Sequence, residues 1–320
     1  MKIPKILVVG SFVMDLIVST SRFPNSGETV LGLDYQTAPG GKGANQAVQA
    51  ARLGAQVTMV GKVGKDAFGD ILIQSAKAAG VNVSHVLRSE DKPSAVGNVQ
   101  LEVTEETTAN RIIVVSGSNM DIAPEDIAFL EEEIAQYDLV LLQFEIPMEI
   151  NTLVAGYAAA KGVPVMLNCA PIAPVPAELM RNITYISPNE HEAQILTGIE
   201  VKDDKSIQQA ICAIKDMGVK NVLITLGARG VAYDDGNGVV YSPALKNLDV
   251  KDTTAAGDSF VGAFSTAVAS GMPVKDALIF ANHTAAITVC RMGAQPSLPT
   301  LAEVNALLRE RNNDVSLMNY

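Results

Sequence analysis

The run Asp252-Thr253-Thr254-Ala255-Ala256-Gly257-Asp258-Ser259-Phe260 carries two carboxylates, the second of them opening an apolar stretch with helical spacing. Small residues ahead of a helix leave successive backbone N–H groups facing free space at the positive end of the helix dipole. Such amides can hold a transferring phosphoryl group. Asp258, in the first turn, can take a proton from a hydroxyl that attacks the phosphorus. A plain helix start, with Asp258 as capping acid and Gly257 as turn residue, fits the same residues.

Other stretches share this two-sided character. In Pro39-Gly40-Gly41-Lys42-Gly43-Ala44-Asn45-Gln46-Ala47, glycines at a helix entrance let a ligand approach the backbone, while Lys42 and Asn45 add a point charge and an amide. Alone, the run also reads as a glycine-rich turn. Asn189 and Glu192 lie three apart behind Pro188, on one helical face. That pair suits a hydrated magnesium ion and its phosphates, or a simple capping box. Thr225-Leu226-Gly227-Ala228-Arg229-Gly230 ends a buried strand where a nucleotide could lie against the backbone, or where the chain merely turns.

Motifs for other chemistries fail. Gln36 stands where a GxxxxGK[ST] loop needs its first glycine, and Gly43 follows Lys42 in place of a hydroxyl residue. No GxGxxG occurs, and Ile195 takes the second histidine position of the HExxH start at His191-Glu192. P-loop, dinucleotide and zinc-protease readings are disfavoured.

These residues need a scaffold. Short apolar runs at 6–10, 57–61, 139–142, 163–167 and 222–226 read as buried strands of a parallel sheet. Helical patterns are expected over 44–53, 67–79, 124–137, 149–161, 206–217, 259–270, 274–289 and 301–309, and a helix opens at Asn189. The alternation predicts an α/β fold in three layers, a mostly parallel sheet with helices on both faces. Segments 16–19, 29–36, 94–103 and 111–116 alternate like solvent-edged strands and predict a small β-sheet lid, drawn from about 14–37 and 94–116. One domain over 1–310 and a polar tail over 311–320 are expected.

The chain has 320 residues, with 24 Lys+Arg against 35 Asp+Glu, a net charge of −11, and it is 48% hydrophobic. It is too apolar for disorder, and its negative charge argues against a nucleic-acid footprint. Small anions stay possible through backbone amides. The N-terminal apolar run lacks a signal-peptide pattern and falls short of the ~20 residues of a membrane span, so no membrane partner and a cytoplasmic location are expected. Cys169, Cys212 and Cys290 are too sparse for a disulfide framework or a CxxC pair and read as reduced, packing thiols.

Taken together, the motifs resemble the ribokinase family, also called the PfkB family of carbohydrate kinases. Gly40-Gly41-Lys42-Gly43-Ala44-Asn45-Gln46, with Gly54 and Gly64 beyond, is similar to the first family signature, and Asp252–Asp258 to the second. The NxxE and Thr-Leu-Gly-x-x-Gly elements lie between them in family order, and the likeness spans about residues 5 to 310. The ending Gly293-Ala294-Gln295-Pro296-Ser297 is similar to the ribokinase branch.

The resemblance implies that a sugar hydroxymethyl group attacks the γ-phosphate of MgATP. Asp258 is then the general base, and the amides of Ala255, Ala256 and Gly257 form the anion hole. It implies sugar contacts at Asp15, Gly41, Lys42, Asn45 and Glu145, and nucleotide contacts at Asn189, Thr225, Gly227, Gly230 and Asn282. Glu192 governs magnesium through its waters. A potassium site is implied at Asp252, the carbonyls of Thr254, Thr288, Arg291 and Gly293, and the Ser297 hydroxyl. Asn282 replaces a histidine of many relatives, and a homodimer through the lid is implied. The alternatives are another PfkB kinase, acting on a ketohexose, sugar acid or nucleoside, or a non-catalytic sugar sensor.

One departure bears on substrate. Ribokinases read Gly-Ser-x-Asn-x-Asp after the first strand, whereas this chain has Gly10-Ser11-Phe12-Val13-Met14-Asp15. The substrate expected is a pentose, ribose or 2-deoxyribose: Val13 removes an amide from the sugar site, which shifts the preference from ribose toward 2-deoxyribose, or it merely repacks and ribose remains the substrate.

Overall fold

The computed structural model describes residues 1–103 and 108–311. The chain runs β1 (Lys5–Val9), β2 (Val13–Thr20), β3 (Asp34–Gly40), α1 (Lys42–Arg52), β4 (Gln56–Gly64), α2 (Ala67–Ala78), β5 (Asn82–Ser89), β6 (Val96–Val103) and β7 (Thr108–Val115). It continues through the single turns α3 (Pro124–Ile127) and α4 (Leu130–Glu133), then β8 (Leu139–Gln143), α5 (Met148–Ala160), β9 (Val165–Asn168), α6 (Ala177–Arg181), β10 (Tyr185–Ile186) and α7 (Glu190–Thr197). Last come α8 (Asp204–Asp216), β11 (Asn221–Thr225), β12 (Val231–Asp234), β13 (Val240–Ser242), α9 (Ala256–Ala269), α10 (Val274–Val289) and α11 (Leu301–Glu310).

Period-two alternation in the central strands sets the three layers. Ile6 and Val8 of β1 pack with Ala47 of α1, Phe264 of α9 and Phe280 of α10 in one core. Leu7 and Val9 point the other way, into a second core with Val154 of α5 and Ile211 of α8. The large sheet has the order β13-β12-β11-β10-β9-β8-β1-β4-β5. Its neighbours are parallel from β11 to β5, while β12 and β13 add an antiparallel edge. A separate sheet, β3-β2-β6-β7, grows from the C-terminal side of β1.

Several expected elements differ. The segment 124–137 is not one helix but α3, α4 and a 3₁₀ turn, because N–H groups of Ala128, Glu131 and Tyr137 bond three residues back rather than four. Ile127, Leu130 and Ile134 stay fully buried throughout. The strand expected at 29–36 begins only at Asp34; ahead of the expected start the chain makes a turn closed by Glu28 N–H on Asn25 C=O. β5 and the β12–β13 hairpin were not expected. Of the expected tail, the part beyond Arg311 lies outside the described residues. No helix among the described residues is long and apolar enough to cross a membrane.

Candidate active site

Parallel strands deliver their following loops to one edge of the sheet, where ligands of open α/β sheets bind. Ser11 and Glu145 follow β1 and β8, Asn168 ends β9, Ser187 and Asn189 follow β10, and Thr225 ends β11. Opposite them stands the start of α9. Its N-cap, Ala255, has φ 60° and ψ 8°, a left-handed conformation that non-glycine residues seldom adopt. The first bond of the α9 ladder runs from Ser259 N–H to Ala255 C=O at 2.8 Å, so the ladder takes up none of the N–H groups before it. That of Ala256 bonds Thr253 C=O at 3.2 Å, because the left-handed turn folds the chain back. Those of Ala255 and Gly257 have no acceptor among the described residues. A Cβ at Gly257 would meet nothing within 4 Å, so the space above the helix start is open.

Asp258 is buried, and both its oxygens are held. Oδ2 accepts from Asn45 Nδ2 at 3.0 Å, and Oδ1 from Gln46 Nε2 at 3.0 Å. The two signatures therefore meet, α1 against α9. Gly41, with φ 94°, lets α1 start this close to β2, since a Cβ there would stand 2.7 Å from Val13 N.

Behind Asn45 lies a second group of polar residues. Glu145 Oε2 accepts from Ser11 Oγ at 2.5 Å and from Lys42 N–H at 2.9 Å. Asp15 sits on β2 between two glycines: a Cβ at Gly40 would be 2.8 Å from its Oδ2, and one at Gly97 would collide with its Oδ1. Burial first, and the charge of Glu145 second, push the Asp15 carboxyl up to about 6. Val13 is buried on the same face of β2 as Asp15, two residues away.

On the other side of Asp258 is a cavity of about 460 Å³, bordered by Lys42, Asn189, Glu192, Thr225, Ala255–Asp258 and Asn282. Burial pulls the Lys42 ammonium down, but Asp258, Glu145 and Glu192 outweigh it and hold its pKa above the ordinary value. Lys42 thus faces both compartments. Asn189 and Glu192 form the capping box of α7, each side chain accepting from the other's N–H at 2.8 Å. Thr225 pairs with Asn189 in an isolated bridge, and Gly227 and Gly230 shape the following turn, Gly230 at φ 96° against Ser242. Asn282 borders the cavity, but its NH₂ is spent on Ser242 and Pro243 at 3.0–3.2 Å. A larger groove, lined by Ile172, Met180, Ile195 and Met217, carries none of these groups.

Asn168 and Ser187 line this cavity, and Asn168 Oδ1 and Ser187 Oγ are buried with no hydrogen-bond partner among the described residues. With the Glu192 carboxylate they make an all-oxygen set suited to the water shell of a small hard cation. Burial, then Glu192, raises the neighbouring Cys169 thiol well above its usual range, leaving it an inert packing group. At the expected monovalent site, Asp252 ties two loops together. Its Oδ1 accepts from Thr254 N–H at 2.9 Å and Oγ1 at 2.6 Å, and its Oδ2 from Gly293 N–H at 2.9 Å. Burial works to raise the Asp252 carboxyl, but these bonds prevail and hold it low. Thr288 C=O accepts from Arg291 N–H at 3.1 Å, the Arg291 side chain pairs with Glu303, and Ser297 Oγ donates to Ala294 C=O at 2.7 Å. Carbonyls plus one carboxylate suit a large monovalent ion better than magnesium.

Ser11, Gln46, Gln143, Asn168 and Ser187 join the site although sequence reasoning did not single them out. Only Ser11 and Gln46 carried a signal, lying inside the motif runs.

The family model for pfkB family carbohydrate kinases matches residues 3–301. The ribokinase of Bacillus subtilis is 42% identical over 303 residues, covering 95% of this chain and 99% of that one. The deoxyribokinase of Salmonella typhi is 33% identical over 304 residues, covering 95% and 98%. The structure of Arabidopsis thaliana ribokinase complexed with ribose and ATP superimposes with a TM-score of 0.89 at 35% identity, covering 96% of this chain and 99% of that chain. On this footing the chain is a sugar kinase and belongs to the pfkB family of carbohydrate kinases.

Proposed function

We propose that the protein phosphorylates a pentose at its terminal hydroxymethyl group with ATP, and that 2-deoxyribose is preferred over ribose. The observation that carries this reading is Asp258, a buried carboxylate at the start of α9, held between a polyol-type site and a phosphate-type cavity. The ribokinase and deoxyribokinase relatives, and the ribose and ATP of the Arabidopsis structure, support the substrate class.

In this mechanism Asp15, Asn45 and Glu145 fix the sugar by its hydroxyls. Asn45 Oδ1 is buried without a partner among the described residues, an acceptor that a sugar hydroxyl would satisfy once Asn45 moves off Asp258. The terminal hydroxyl replaces Asn45 on Asp258 and gives up its proton to that carboxylate as its oxygen bonds to the γ-phosphorus, while the bond from that phosphorus to the bridging oxygen breaks and ADP leaves. The open amides of Ala255 and Gly257 and the Lys42 charge stabilise the anionic phosphoryl oxygens. Asn189, Thr225, Gly227, Gly230 and Asn282 border the nucleotide. Glu192, with Asn168 and Ser187, would hold the waters of magnesium, which when bound offsets phosphate charge. Potassium at Asp252 would stiffen the loop that carries the amides.

We also assign the exposed apolar strand β7, with Ile112, Ile113, Val114 and Val115 each more than half exposed, to a homodimer contact. Three free cysteines favour a cytoplasmic setting. The primary test is ATP consumption with potassium present over ribose, 2-deoxyribose, fructose and nucleosides. Turnover led by a pentose is expected, and turnover led by another substrate overturns the assignment.

A further inference from the structure

Three buried side-chain amides reach Asp258 or one another, and only Asn45 faces the sugar. Gln46 Nε2 donates to Asp258 Oδ1 at 3.0 Å, and Gln46 Oε1 accepts from Gln143 Nε2 at 2.8 Å. Gln143 is anchored in turn, its backbone carbonyl accepting from Asn151 Nδ2 at 2.9 Å, which ties the end of β8 to α5. Gln46 and Gln143 are both 0% exposed.

This pair is poorly suited to stabilising the fold. Burying an amide is costly unless all its groups are satisfied, and Gln143 Oε1 has no partner among the described residues. It lies against the bare Cα of Gly10, where any Cβ would collide with it. A methionine or leucine would fill the same volume without a stranded oxygen. An incompletely satisfied amide at the centre of a core points to a task beyond packing.

The chain of bonds has a direction. An ionised carboxylate only accepts, so Gln46 must turn its NH₂ to Asp258 and its oxygen to Gln143, which must then present its own NH₂. Each amide has one productive orientation: the Asp258 carboxylate sets that of Gln46, and Gln143 Nε2 then holds the Gln46 oxygen on the far side, away from the carboxylate. The two Asp258 oxygens are thereby distinguished. Oδ1 is anchored from inside the protein. Among the described residues Oδ2 is held only by Asn45, on the substrate side.

We propose that Gln46, locked by Gln143, is a positioning residue that pins Asp258 Oδ1 and leaves Oδ2 as the oxygen that receives the sugar proton. This rests on Asp258 being the base. Neither glutamine touches substrate.

The test uses the full chain with two near-isosteric changes. In Gln143→Glu at low pH, the protonated acid donates to Gln46 Oε1 and keeps the parent orientation. In the assay, at a pH high enough to ionise that buried acid, its carboxylate accepts from Gln46 Nε2, so the Gln46 amide turns over and sets its oxygen against Asp258. The expected result is a fall in kcat of about 10- to 100-fold, the scale of one hydrogen bond to a charged group, with KM for sugar and ATP within about twofold. Gln143→Met keeps the volume, adds no buried charge, and guards against misfolding of the first variant. It is expected to lower kcat by about three- to tenfold, the scale of a lost neutral hydrogen bond, with Tm close to the parent's, because one stranded oxygen, Gln143 Oε1, is exchanged for another, Gln46 Oε1. Unchanged kcat in folded variants overturns the proposal, as does a loss that tracks Tm or an equal rise in KM. Asp258→Ala is measured alongside. If it retains kcat within about tenfold, less than a general base contributes, the base assignment itself fails. If it is inactive while Gln143 variants match the parent, only the relay fails.

Discussion

Val13→Asn tests how the sugar is chosen. Val13 is 5% exposed and shares a strand face with Asp15. Its Cγ1 is 3.7 Å from a Cβ built at Gly97, the glycine that makes room for the Asp15 carboxylate. A hydroxyl that ribose brings to this point meets methyl groups, whereas an asparagine would offer it both a donor and an acceptor. Leaving such a hydroxyl unpaired costs about 1–3 kcal/mol, and at 1.36 kcal/mol per decade this predicts a shift of about 5- to 150-fold toward ribose. The quantity to measure is kcat/KM for ribose divided by kcat/KM for 2-deoxyribose, in parent and variant. The sugar-free variant should also lose stability, since its amide is buried without a partner, and ribose should restore Tm more than 2-deoxyribose does. A folded variant whose ratio does not rise refutes the reasoning.

The other predictions concern the same cleft and the lid. Gly257→Ala should keep or slightly raise Tm, because the added methyl meets no protein atom and alanine favours helix, yet kcat should fall by at least about tenfold as the methyl enters the phosphoryl space; unaltered turnover would exclude that amide from the anion hole. Asp15, at about 6 in place of 3.8, should give kcat/KM for sugar an acid limb near pH 6 that moves down in Glu145→Gln, which lifts the repulsion. Because the folded value is the higher one, ionised Asp15 weakens the fold as pH rises from about 4 to about 6, so Asp15→Asn should raise Tm at pH 7 while losing sugar affinity. Ile113→Lys in β7 should convert a dimer to a monomer by light scattering, and an unchanged mass would move the interface elsewhere.

Much of this was legible in the sequence because local rules and function coincide there. Small residues before an apolar helix marked Asp258, and continuous apolar runs marked the central strands. What was not legible depends on long-range pairing. β5 mixes polar and apolar residues at a sheet edge, and β12–β13 are short, although Asp235-Gly236-Asn237-Gly238 between them is a hairpin signal that could have found them. The helical spacing of 124–137 was real, but the chain tightens to a three-residue winding that periodicity cannot separate from an α-helix. Gln143 reads as an unremarkable strand end; only its burial beside Gly10 and Gln46 reveals it. The glycines of 40–43 were read as room for ligand, and the structure adds a closer reason, the approach of α1 to the chain after β1.

The bonds from Asn45 and Gln46 to Asp258 join residues 213 and 212 positions apart. Loops of that length close late, after local elements have formed. With Asp258 as the base, a growing chain has no working centre until α9 has been made and has docked on α1, however well the first four-fifths has folded. Recovery of catalysis after dilution from denaturant consequently times the last long-range step, while recovery of helical signal times the early ones. The lag between them measures how slowly the two ends of the polypeptide find each other.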